Sequence, residues 1–149
     1  GISIMDIDSE LLAERLVDQT ELLFRNGPQK QIGKHAQGEC FVLRCLARSP
    51  KPLLPSDLSA MTQSSTARIA VVLNTLEKKG YITRAIDPAD RRVLVSLTSV
   101  GAEYVRSIRQ QLRQRMQRLL AELGEADAEE YLRITERILS ITQHMAQER

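Results

Sequence analysis

The chain has 149 residues, 42% of them hydrophobic and 27% charged, with a net charge of +2; such a composition supports a single core of ordinary domain size and excludes a disordered chain or a multidomain enzyme. Its only rings are Phe24, Phe41, Tyr81, Tyr104 and Tyr131, with no Trp, too few for a platform that stacks the bases of single-stranded nucleic acid. No apolar run approaches the ~20 residues of a membrane span, and the acidic start GISIMDIDSE is unlike a signal peptide, so a cytoplasmic protein with no membrane partner is expected.

Residues 5–25 place Ile7, Leu11, Leu12, Leu16, Leu22 and Leu23 at helical spacing, with acids concentrated early where the helix dipole favours them. Asn26-Gly27-Pro28 stops that helix, and a polar connection leads to a second helix over residues 38–48, ended by Ser49-Pro50-Lys51-Pro52. Pro55-Ser56-Asp57 opens a brief helix reaching Met61, with Pro near the first position and polar cap candidates beside it. After a turn at Thr62-Gln63, Ser64-Ser65 can cap a helix that runs to Lys79 and is closed by Gly80.

Two strand-like runs follow, 81–86 and 93–98, joined through Asp87-Pro88-Ala89-Asp90-Arg91-Arg92 as a hairpin with a charged tip. Thr98 can cap a long helix over residues 99–123 with Val105, Ile108, Leu112, Met116, Leu119 and Leu123 on one seam, which Gly124 breaks. A last helix over residues 126–147 repeats the spacing with Tyr131, Ile134, Ile138, Ile141 and Met145. Seams recurring near 3.5 residues want partner helices, and a homodimer built from the first and last helices is the economical way to cover them. The expected fold is therefore mainly α with a small β-hairpin, a single domain over residues 1–149. Residues 1–30 and 99–149 form its helical dimerisation region, and residues 38–98 its winged helix-turn-helix.

Charge supports that division. Residues 48–92 carry 8 Lys/Arg against 4 Asp/Glu, whereas residues 1–47 carry 5 against 7 and residues 93–149 carry 8 against 8. A basic module between near-neutral flanks suits a polyanion. Short helix, tight turn, longer helix and hairpin suit duplex DNA, because a helix fits the major groove and a hairpin beside it reaches the backbone or the minor groove. On the wheel of residues 64–79, Ile69, Val72, Leu73 and Leu76 cluster on one side, leaving Ser64, Ala67, Val71, Asn74 and Lys78 opposite, flanked by Arg68 and Thr75.

The outer face is short-chained near the helix start, so the backbone can approach a groove floor closely. Arg68 can pair with guanine or clamp a phosphate, Ala67 and Val71 can meet thymine methyls, and Ser64, Ser65 and Thr66 can donate to phosphates. Plain helix capping competes as the role of the hydroxyls and is preferred for Ser65, which points towards the core. At the hairpin tip Arg91 and Arg92 can insert into a minor groove or grip phosphates, with Asp90 holding a guanidinium in place; a solvated turn is the competing account.

The run Ser65-Thr66-Ala67-Arg68-Ile69-Ala70, the run Leu76-Glu77-Lys78-Lys79-Gly80-Tyr81-Ile82, the tip Asp87 to Arg92, and Val95-Ser96-Leu97-Thr98 followed by Gly101 resemble the multiple-antibiotic-resistance regulator (MarR) family of winged-helix transcription factors. The resemblance covers essentially the whole chain. It implies a homodimer joined by the first and last helices, a wing arginine oriented by an aspartate, and repression relieved by a small-molecule effector. The stretch from the second wing arginine to Leu97 is one residue shorter than the family pattern, so Arg91 and Arg92 both stand as the groove-inserting residue. The family's peroxide sensors carry a reactive cysteine in the first helix, which has none here.

Other chemistries have little to stand on. No Gly-x-Ser-x-Gly or Gly-x-Gly-x-x-Gly occurs, and the nearest approach to a phosphate loop, Gly27 to Gly33-Lys34, is one residue too long and followed by His35. Neither an enzyme nor a cofactor is expected. His35 with Glu39 and Cys40, and the distant His144, supply too few ligands for a metal. Cys40 and Cys45 fall on different helix faces and are expected as unbridged, unreactive thiols. The expected function is a homodimeric transcription factor on pseudo-palindromic double-stranded DNA; the alternative is a winged-helix interaction module docking an acidic partner.

Overall fold

The computed structural model describes residues 4–35 and 38–148, with side chains from Ser9 to Gly33 and from Gly38 to Glu148; Ile7 and His35, named above, have side chains outside the described residues. Seven helices and one hairpin follow each other: α1 (Ile4–Asn26), α2 (Gln29–His35), α3 (Gly38–Arg48), α4 (Pro55–Thr62), α5 (Thr66–Lys78), β1 (Ile82–Ile86), β2 (Val93–Leu97), α6 (Ser99–Leu123) and α7 (Glu125–Gln147). The chain divides into two compact units, residues 1–112 and 113–149.

Within the first unit, the core is made by Val42, Leu43, Cys45 and Leu46 of α3, Leu58 of α4, Ile69, Leu73 and Leu76 of α5, Ile82 of β1 and Val95 of β2. The i, i+3/i+4 spacing on three short helices thus converges on one small core, with the hairpin closing its side. Strands β1 and β2 pair antiparallel from Ile82↔Leu97 to Ile86↔Val93. Leu53 bridges Val95 through paired backbone bonds of 3.0 and 2.7 Å, so the segment before α4 acts as a one-residue third strand. The sequence carries no alternating run there to announce it.

Helix ends follow local chemistry. Ser65 caps α5, its Oγ accepting from the Arg68 N–H at 3.1 Å. At the other end Gly80 has φ +80, and the Tyr81 N–H reaches back to the Leu76 carbonyl at 3.0 Å, a Schellman stop that needs a residue at ease with positive φ. Thr98 caps α6 by accepting from Gly101 N–H at 3.0 Å while its hydroxyl donates to the Gly80 carbonyl at 2.6 Å.

Three expectations need correction. The stretch read as a polar connection after α1 contains α2, because Gly27 and Pro28 end one helix and also begin the next: their carbonyls accept from Lys30 and Gln31 at 3.1 and 3.2 Å. Leu54, and no polar residue, occupies the cap position of α4; Asp57 supplies the missing acceptor by reaching back to the Leu54 N–H at 2.9 Å. Ser64 lies before the cap and outside the helix, its carbonyl accepting from the Ser59 hydroxyl.

Candidate nucleic-acid interface

Burial of Ile69, Leu73 and Leu76 sets the rotation of α5 and thereby its outward face. Ala67, Arg68, Val71, Asn74 and Lys78 are all exposed, and Val71 is 64% exposed although apolar. Thr66 is exposed in the first turn, whereas Ser64 and Thr75 are half-buried. Ser64 Oγ donates to the Thr62 carbonyl at 3.4 Å, and the Thr75 hydroxyl donates to the Val71 carbonyl at 3.1 Å. The wheel therefore places Ala67, Arg68 and Val71 on an open helix face beside Thr66, assigns Ser65 to capping, and leaves Ser64 in the preceding turn.

The hairpin tip is built by its own hydrogen bonds. Asp87 donates its N–H to the Arg92 carbonyl and accepts from the Arg91 N–H, both at 2.8 Å, while its Oδ1 accepts from Ala89 N–H at 2.9 Å. Asp90 accepts from the Arg92 N–H at 3.1 Å through one oxygen and pairs with the Arg92 guanidinium through the other. The Arg92 backbone N–H, with the side-chain contact behind it, holds the Asp90 carboxyl below the usual carboxylate range. Arg92 is thus the guanidinium that Asp90 orients. Arg91 sits at φ +60 and has no carboxylate at ion-pair distance among the described residues.

A third arginine joins the hairpin to the helix. Arg84, on β1, donates from Nε and Nη2 to the Glu77 carboxylate at 3.0 and 3.2 Å, and from Nη2 to Asn74 Oδ1 at 2.8 Å. The bond to Arg84 is the main cause that draws the Glu77 carboxyl below its ordinary value and raises Arg84 further. Sequence reasoning missed this cluster, whose only signal is an opposite-charge pair on either side of the Gly80 stop. It likewise missed the pair of Lys79 with Glu39 at 2.7 Å, forty residues apart.

A profile described as MarR family matches residues 37–93, from the start of α3 to the wing. The chain is also 30% identical over 95 residues to the transcriptional repressor MprA of Escherichia coli K12, covering 63% of this chain and 54% of that one. The match is thus to the MarR family, over the winged module. An uncharacterised HTH-type transcriptional regulator, YdcH of Bacillus subtilis, is 45% identical over 49 residues, 32% of this chain and 33% of its own. The chain therefore spans between a third and about half the length of these curated relatives. For the MarR fold as a whole, Streptococcus pneumoniae FabT, solved in complex with DNA, superposes with a TM-score of 0.71 at 18% identity, over 92% of this chain and 99% of its own.

Two further features of the chain lie away from α5 and the wing. Burial pushes the Cys40 and Cys45 thiols up, leaving both protonated and poorly nucleophilic. Within the first unit, a cavity of about 410 Å³ opens among α2, α3 and α6, with Ile32 and Ile108 on its apolar wall and Arg44, Arg48, Arg106 and Arg109 around it.

Proposed function

We propose that the chain is a homodimeric, sequence-specific binder of duplex DNA that regulates transcription, as a repressor released by a small effector. The observation that carries this reading is the outward face of α5: small side chains at Ala67 and Val71, the uncommitted guanidinium of Arg68, and the aspartate-oriented Arg92 on a hairpin of the same unit. A helix face that sets small Ala67 and apolar Val71 beside the donors of Arg68 and Asn74 complements a major groove, with its thymine methyls and acceptor edges. The match to the MarR family, the likeness to the repressor MprA and the DNA complex of FabT support the same reading.

In this reading α5 enters the major groove, with Thr66 and the helix start on phosphates, Ala67, Arg68 and Val71 on base edges, and Arg91 and Arg92 on the flanking backbone or minor groove. Two subunits read half-sites about 10 base pairs apart. The apolar residues left exposed on α1 and α7 supply the dimer contact. The arginine-ringed cavity suits an anionic effector with an apolar body, since a guanidinium recognises a carboxylate or phosphate and the wall covers the rest.

Fluorescence titration of duplexes selected from genomic DNA, repeated over a series of salt concentrations, tests the proposal. Log affinity should fall linearly with log salt, as counterions leave the phosphates. Arg68→Ala should cost a factor of about 5 to 150 at one base pair and relax preference there, whereas Arg92→Ala should weaken all sequences alike and flatten the salt slope by about one unit. Salt-independent affinity, or no DNA binding by the folded dimer together with recovery of an acidic protein partner, would overturn it.

A further inference from the structure

We infer that Arg84 is a positioning residue for base reading: it turns the Asn74 side-chain amide so that its nitrogen, and not its oxygen, leads outward from α5. The inference rests on the DNA-reading proposal and adds a recognition rule to it. A guanidinium has five donors and no acceptor. Only the amide oxygen can face Arg84 Nη2 at 2.8 Å, so the orientation follows from the chemistry of the partner. Arg84 is itself held by both oxygens of Glu77, at 3.0 and 3.2 Å, which makes it a fixed donor fork and not a wandering surface chain.

Asn74 lies one and two helical turns beyond Val71 and Ala67 on the same exposed face of α5. Asn pairs with adenine by accepting from N6 and donating to N7 at once. Here that arrangement would turn the oxygen away from Arg84. With the oxygen kept on the guanidinium, the complement of the leading N–H pair is the two-acceptor edge of guanine, O6 and N7; adenine offers N7 alone beside an N6 donor that finds no acceptor, and cytosine only a donor. The Glu77–Arg84–Asn74 chain thus favours guanine over adenine at one base pair per half-site, and couples that choice to the seating of β1 against α5.

The test is a selection from random duplexes by the full-length wild type and by Arg84→Ala, Arg84→Lys and Asn74→Ala. Each variant should lose preference, by about fivefold or more, at the same base pair of each half-site, with other positions unchanged. Arg84→Lys keeps the charge but not the planar fork that reaches Glu77 and Asn74 from two nitrogens, so it should behave as Arg84→Ala does. Asn74→Ala alters an exposed side chain and reports the rule even if an Arg84 variant misfolds. Unshifted profiles in Asn74→Ala, or a uniform loss across all positions in the Arg84 variants, would overturn the inference while wild-type binding stands. Absence of salt-sensitive binding by the wild type would overturn the DNA-reading proposal with it.

Discussion

Single atoms decide how the winged module meets the long helix behind it. A Cβ at Gly101 would lie 2.0 Å from the Tyr81 carbonyl oxygen, and Tyr81 is already committed, its ring stacked on Tyr104 with centroids 4.5 Å apart and planes 7° from parallel. Because the obstructing atom is backbone, the neighbour cannot swing away. Gly101→Ala should therefore cost stability at or above the upper end of the ~1–3 kcal/mol usual for overpacking, read as a lowered midpoint in denaturant titration. The Leu-Thr-x-x-Gly exit was legible as a motif, but its reason, close approach of α6 to the end of α5, was not. Glu77 provides a second prediction at this scale. Its folded value lies below the ordinary one because Arg84 donates to the ionised form, so its contribution is present above the ordinary carboxylate value and is lost as acidification passes through the lowered one. An NMR titration of Glu77 should show that depressed midpoint in the wild type and a return to the ordinary value in Arg84→Ala.

At the scale of elements, α1 and α7 pose the same physical problem. A helix of 23 residues without a buried face is marginal in water, yet no residue of α7 is buried, and Ile138 and Met145 are 53% and 60% exposed. On α1, Leu11, Leu12, Leu16 and Phe24 are also exposed. In the proposed homodimer, a second subunit covers both. Ile138→Asp should then shift sedimentation from dimer to monomer and reduce operator affinity, while leaving the melting of the α3–β2 core in place; a variant that stays dimeric would refute an interface through this seam. The periodicity of these helices was readable along the chain, as was the break at Gly124 before α7. Helix α2 was not, because the seven residues Gln29–His35, with Gly33 among them, carry too little periodicity to stand apart from a loop.

For the molecule as a whole, residue order alone determined the succession of helices and hairpin apart from α2, the rotation of α5 and the presence of two arginines at the wing, because each follows from spacing, capping and turn chemistry within a dozen residues. The resemblance to the MarR family was legible for the same reason: its motifs are local. Tertiary structure decided what depends on neighbours remote along the chain or across a turn. It paired Asp90 with Arg92 and not Arg91, drew Lys79 onto Glu39, laid Leu53 beside Val95, and set Arg84 on Asn74 and Glu77. Long polar side chains reach ~6 Å or more and choose partners only after the backbone has placed the candidates; hydrophobic spacing says which side of an element is covered and nothing about which charges then meet on the other.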